Sequence, residues 1–180
     1  MRLLGAVLAG GKSSRFGSDK AMADLHGKPL LAHAAEALAA QCDTVIVCGR
    51  EWPGLVSVPD RPAPDLGPLG GLNAALHYAA AHGFEAVLSV GCDTPVLPDD
   101  LAARLSVAGE VAYLQGLPIV GLWPARLAPV LDDNLRTTED RSLRAWARVA
   151  KAVALELDRA IPNVNRQEDL AAVRGAGPQR

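Results

Sequence analysis

The sequence predicts a three-layer α/β domain built on a mostly parallel sheet, and three observations carry that prediction. Short runs of Val, Ile and Leu alternate with helical segments along the chain. Those runs are continuously apolar, as strands covered on both faces of a parallel sheet are. No repeat, linker or low-complexity stretch divides them, and 180 residues at 49% hydrophobic content suit one core better than two. The domain is expected over residues 1–174, with 175–180 as a frayed tail.

In order, Leu4 to Leu8 reads as a strand stopped by Gly10 and Gly11. A polar loop follows, and from Pro29 a helix places Leu30, Leu31, Ala34, Ala35 and Leu38 on one face. Thr44 to Cys48 is a second strand and Leu55 to Val58 a weaker third. Leu69 to Ala81 is a helix, and Ala86 to Val90 a fourth strand. Pro98 to Val107 should form a helix with Asp99 and Asp100 in its first turn, where carboxylates complement the dipole. Val111 to Leu114 and Ile119 to Trp123 suggest an antiparallel hairpin across Gln115 to Pro118. Leu127 to Leu131 and Ser142 to Ala150 read as helices, Ala152 to Leu157 as a strand, and Gln167 to Val173 as a closing helix.

Composition removes several function classes. Eighteen basic against twenty acidic residues give a net charge of −2, which supplies no field for sequence-independent binding of nucleic acid. Three cysteines without a CxxC and four histidines without an HExxH offer neither a disulfide framework nor a structural zinc site. The opening apolar run is short and lacks a small-x-small cleavage site, so it reads as a strand rather than a signal peptide. No run approaches the roughly 18 apolar residues of a membrane span. A cytoplasmic protein without membrane or nucleic-acid partners is expected.

Chemistry concentrates after the first strand, in Leu8-Ala9-Gly10-Gly11-Lys12-Ser13-Ser14-Arg15-Phe16-Gly17-Ser18-Asp19-Lys20. The spacing fits neither the P-loop nor the GxGxxG fingerprint. It is a glycine turn with three cations at the carboxyl end of a parallel strand, where open α/β sheets bind ligands. Backbone N–H groups there can meet anionic oxygens, and Arg and Lys suit a triphosphate; a solvated loop is the alternative. Asp93, just past the fourth strand, is placed to hold magnesium or to cap the Asp93-Thr94-Pro95 bend. Cys92 reads as packing. Gly67, Pro68 and Leu69 either admit a ligand against backbone or simply start a helix. The amides of Asn163 and Asn165 can reach a metal or cap the last helix.

Taken together, Leu8-Ala9-Gly10-Gly11, Ser14-Arg15-Phe16-Gly17, Asp19-Lys20-Ala21, Gly27-Lys28-Pro29, Gly67-Pro68-Leu69-Gly70-Gly71, Cys92-Asp93-Thr94-Pro95 and Asn163-Val164-Asn165 resemble the molybdenum cofactor guanylyltransferase family over nearly the whole chain. The resemblance implies a Rossmann-like nucleotidyltransferase fold and Mg2+-dependent transfer of GMP from GTP to molybdopterin, with release of pyrophosphate. It implies nucleotide contacts at Leu8, Ala9, Gly10, Gly11, Lys20, Asp60, Gly67, Pro68, Leu69 and Asp93. Arg15, Lys20 and Asp93 take the catalytic roles, and Asp93 with Asn165 the metal. Transient contacts with cofactor-delivering proteins and acceptor molybdoenzymes follow from the same likeness. Gly49 stands where relatives often carry Asn. A cytidylyltransferase of the same pathway, a transferase for a sugar phosphate or other small phosphorylated metabolite, and a GTP-binding regulatory or adaptor protein are the alternatives.

Overall fold

The computed structural model describes residues 1–10 and 19–175. Along the chain, β1 (Leu3–Leu8) is followed by a small hairpin of β2 (Asp24–Leu25) and β3 (Lys28–Pro29), then α1 (Leu30–Ala39), β4 (Thr44–Cys48) and β5 (Val56–Val58). Next come α2 (Pro68–Ala81), β6 (Ala86–Gly91), α3 (Leu101–Ala108), β7 (Ala112–Leu114) and β8 (Leu117–Pro124). The chain continues through α4 (Ala128–Thr137), α5 (Leu143–Val149), β9 (Val153–Leu155) and α6 (Gln167–Gly175).

Every residue of β1 is buried, because strands flank both its edges and helices cover both its faces. The seven-stranded sheet runs β5-β4-β1-β6-β8-β7-β9. β1 pairs in parallel with β4 and β6, and β4 with β5. β8 is antiparallel to both β6 and β7, while β7 and β9 are parallel. The expected antiparallel addition is therefore made by β8, the one reversed strand of this sheet among the described residues.

Alternation along β1 divides the core. Leu3 and Val7 face Leu31, Ala34 and Leu38 of α1 with Leu101 and Leu105 of α3. Leu4, Ala6 and Leu8 face Leu69, Leu72 and Leu76 of α2, with Leu131, Leu135 and Trp146 beyond. Both layers bury aliphatic surface, at roughly 25 cal/mol per Å² removed from water. A third, smaller cluster of Leu25, Leu30, Val164 and Leu170 ties the β2–β3 hairpin to α6.

Several bounds differ from the sequence reading, among them β8, which starts at Leu117, and β9, which ends at Leu155; three differences have a local reason. α3 starts at Leu101 rather than Pro98; Leu101 N–H bonds Pro98 C=O at 3.1 Å in a preceding turn. Asp99 and Asp100 thus precede the helix instead of filling its first turn. α4 runs on to Thr137 because Leu131 and Leu135 maintain the buried stripe through the polar stretch Asp132 to Asn134. The β2–β3 hairpin is too short for a period-2 signal; His26 and Gly27, both at positive φ, make its tight turn.

Candidate functional site

The strand order places a topological switch beside β1: the chain moves outward through β4 and β5, then returns by α2 to β6 on the other side. Ligands of open α/β sheets bind outside the carboxyl ends of strands at such a point. Here those ends are Ala9-Gly10 after β1, Gly49-Arg50 after β4 and Cys92-Asp93 after β6. Ala9 N–H still bonds Cys48 C=O at 2.9 Å, which holds the first two together.

Three residues picked from distant motifs converge. A single 3-10 turn, Lys20–Met22, projects Lys20 so that its Nζ donates to Asp93 Oδ2 at 2.8 Å and to Asn165 Oδ1 at 3.3 Å. Lys20 and Asp93 are largely shielded, with side chains 15% and 17% exposed, so their attraction is less screened than that of an open surface pair. The segment bearing Asn165 is held against Asp93 by Val164 N–H to Asp93 C=O at 2.8 Å. With its amide assigned from its neighbours, Asn163 donates to Asp93 Oδ1 and to Asp93 C=O at 3.1 Å, and accepts from Asn165 Nδ2 at 3.1 Å. At the start of α6, Asp169 reaches back and accepts from the N–H groups of Asn165 and Arg166 at 2.8 Å each.

The Lys20 ammonium already bridges two oxygens, one carboxylate and one amide. Those hard donors fit a magnesium ion, which needs one or two carboxylates and completes its shell with water and phosphate oxygens. Among the described residues no group of three His, Cys, Asp or Glu side chains is placed to hold a metal by itself.

Asp60 occupies the opposite side of the β1 end. A Cβ on Gly10 would lie 2.9 Å from Asp60 Oδ2, one on Gly49 2.8 Å from Asp60 Oδ1, and one on Gly70 3.1 Å from Asp60 Cβ. Glycine backbone therefore lines this carboxylate closely, and Gly49 is doubly required, with φ of +82° and a built Cβ 2.5 Å from Gly10 Cα. Oδ1 of Asp60 is buried without a hydrogen-bond partner among the described residues. Burial, then the nearby Asp65 charge, raises the Asp60 carboxyl above its ordinary range. A desolvated acceptor in a backbone-lined cradle is suited to a ligand bearing N–H donors.

Leu8 and Leu69 have buried side chains in the core, leaving their backbones as the parts able to meet a ligand. Gly67, at φ 64°, turns the chain into α2 and Pro68 opens the helix. Gly11 and Arg15, with Lys12, lie in 11–18, outside the described residues. Cys92 is partly buried against the core; burial first, then the Asp93 charge, pushes its thiol up to about 12, which disfavours the thiolate.

One interaction left no mark in the sequence. Arg50 grips the Asp19 carboxylate with Nη1 to Oδ1 at 2.9 Å and Nη2 to Oδ2 at 2.6 Å. Chiefly this hydrogen-bonding guanidinium holds the Asp19 carboxyl below its usual range. Only the fold brings the two together.

This architecture is shared with known proteins. The MobA-like NTP transferase domain matches residues 5–159. Molybdenum cofactor guanylyltransferase of Rhodobacter capsulatus is 38% identical over 184 residues, covering 95% of this chain and 94% of that protein. The crystal structure of molybdopterin-guanine dinucleotide biosynthesis protein A from Archaeoglobus fulgidus superposes with a TM-score of 0.75 at 17% identity, covering 96% of this chain and 97% of that one. A Mycobacterium tuberculosis protein in complex with manganese has the same fold, with a TM-score of 0.67 at 16% identity over 98% of this chain and all of that one. On the extent of the domain match and the identity to the Rhodobacter protein, the chain belongs to the MobA-like NTP transferase family.

Proposed function

We propose that this protein is a guanylyltransferase: it moves GMP from GTP onto the terminal phosphate of molybdopterin carrying molybdenum and releases pyrophosphate. The observation that carries the reading is the convergence of Lys20, Asp93 and Asn165 at the sheet edge whose other side holds the Asp60 carboxylate, one oxygen of which is buried without a partner among the described residues. Guanine presents an N1–H and a 2-amino group side by side, two donors that match one carboxylate. Adenine and the cytosine edge each set an acceptor against it. The glycines at 10, 49 and 70 let the nucleoside lie against backbone, with Gly67 to Leu69 closing the same side.

In the transfer, an oxygen of the acceptor phosphate forms a bond to the α-phosphorus as the bond from that phosphorus to the bridging β-oxygen breaks. The electron pair leaves with pyrophosphate. A phosphate monoester has its second pKa near 6 and is mostly dianionic at neutral pH, so no protein base is needed. Lys20 exchanges its contact with Asp93 for the phosphates and offsets charge as pyrophosphate departs; Arg15 and the amides at Gly10 and Gly11 act on the same phosphates. Asp93 with Asn165 would hold Mg2+, which would supply charge neutralisation at the phosphates. The reaction belongs in the cytoplasm, where transient contacts with proteins delivering molybdopterin or taking the dinucleotide complete its setting.

Pyrophosphate release with GTP, CTP, ATP and UTP, each given molybdopterin or a sugar 1-phosphate in the presence of Mg2+, tests the reading. GTP with molybdopterin should be the productive pair, and Asp93→Ala should fold normally yet release none. Preference for CTP or for a sugar 1-phosphate reassigns the substrates. Tight GTP binding without product from any acceptor makes the protein a binding module.

A further inference from the structure

We propose that Arg50 is a positioning residue for the transfer: through its paired hydrogen bonds to Asp19, it fixes the turn from which Lys20 reaches the reacting phosphates. The inference rests on the role given above to Lys20, but its geometry is independent of which acceptor is used.

Asp19 does two things at once. Its Oδ1 accepts from Ala21 N–H at 3.2 Å and its C=O from Met22 N–H at 3.1 Å, so it caps and closes the 3-10 turn Lys20–Met22. The same carboxylate receives both terminal nitrogens of Arg50. Lys20 is the first residue of that turn, and buried Ala21 seats it on the core. Moving the Asp19 carboxylate therefore moves the base of Lys20 relative to Asp93 and Asn165.

Arg50 is anchored at its other end. It follows Gly49, whose backbone packs on Gly10 and the Asp60 carboxylate. One arginine thus links the wall of the nucleoside cradle to the turn carrying the phosphate lysine. The contact has the form of a positional device rather than a stabilising one. Side chains 27% and 46% exposed contribute little as an ion pair. Meanwhile Nε of Arg50 is buried without a partner among the described residues, an arrangement that costs stability. What the planar fork provides is orientation, which a lysine at this position cannot reproduce.

The test compares Arg50→Ala, Arg50→Lys and Asp19→Asn with the wild-type chain. Misplacement of a positioned group by about an ångström costs up to about a hundredfold. Arg50→Ala should thus lose about ten- to a hundredfold in kcat while KM for GTP and the melting temperature stay close to wild type. Arg50→Lys should recover only part of that loss. Guanidinium ion, added below denaturing concentration, should restore turnover to Arg50→Ala but not to the double variant Arg50→Ala/Asp19→Ala, since the ion needs the Asp19 carboxylate. Hydrogen exchange at the Ala21 and Met22 amides should quicken in Arg50→Ala and in Asp19→Asn. Unchanged kcat in Arg50→Ala, or equal guanidinium effects on the single and double variants, overturns the proposal. If the wild-type chain turns over no nucleotide at all, the functional reading fails, and exchange at Ala21 and Met22 still decides: quickened exchange upholds the positioning contact and unaltered exchange overturns it.

Discussion

Replacing Asp60 with Asn should move stability and nucleotide affinity in opposite directions. The carboxylate is desolvated and one of its oxygens has no partner among the described residues. Because its carboxyl is raised in the folded state, the folded chain retains a proton that the unfolded chain has already lost as pH climbs from the ordinary Asp value to the raised one. Stability therefore falls across that window and stays lower above it. An amide does not titrate, so without nucleotide Asp60→Asn should melt higher than wild type at neutral pH, and the gap should close in acid. Binding goes the other way. The amide keeps one acceptor but turns an NH2 toward the second guanine donor, so one hydrogen bond to a charged group, about 1.5–3 kcal/mol, is lost. At 1.4 kcal/mol per decade, GTP affinity should drop about ten- to a hundredfold. Titration calorimetry with GTP and ATP, alongside melting curves from acid to neutral pH, measures both arms. GTP affinity unchanged in the variant, or equal losses for GTP and ATP, would refute the assignment of Asp60 to the base.

Two further substitutions test the packing around the same edge. Gly49 and Gly54 share φ of +82°, but a Cβ on Gly54 meets nothing within 4 Å. Gly54→Ala should cost only the left-handed strain, about 1–2 kcal/mol, whereas Gly49→Ala adds an overpacking cost of about 1–3 kcal/mol. At about 2–4 °C per kcal/mol for a chain of this size, the two melting temperatures should differ by several degrees; equal losses would deny the close approach of Gly49 to Gly10. Cys92→Ala should leave the kcat for pyrophosphate release nearly unchanged, and Cys92 in the native protein should resist iodoacetamide at pH 8, since its thiol is pushed up to about 12. Rapid alkylation that abolishes turnover would restore Cys92 as a candidate nucleophile.

The parts of this molecule legible in the sequence are those that backbone position alone determines. A continuously apolar run such as Leu4 to Leu8 points to a strand covered on both faces, as in a parallel sheet flanked by helices. Glycine or aspartate directly after such a run therefore marks the sheet edge at which open α/β sheets bind ligands. Asp93 is legible on that ground, and Lys20 and Asn165, taken from other motifs, do come together with it. Asp19 with Arg50, and Asn163 turning to Asp93 while Asp169 accepts from the N–H groups of Asn165 and Arg166, are not. Those contacts depend on which loop a side chain meets across the sheet, and no periodicity or spacing encodes that. The late start of α3 and the extension of α4 have a different origin, in a local turn at Pro98 and in burial of Leu135 that outweighs the polar residues beside it.

Gly49 shows how one departure from the family pattern is absorbed. Asparagine tolerates a positive φ better than most residues, so the backbone angle alone does not demand glycine here. The approach does: a built Cβ would stand 2.5 Å from Gly10 Cα and 2.8 Å from Asp60 Oδ1. A side chain at this position would require β4's exit to move away from β1's. This chain takes the other course. Its strand exits close on each other, and Asp60 is pressed against glycine backbone. The next residue along, Arg50, is then carried near enough to Asp19 to fasten the Lys20 turn. The same closure that presses Asp60 against glycine backbone thus also sets the distance over which Arg50 can act.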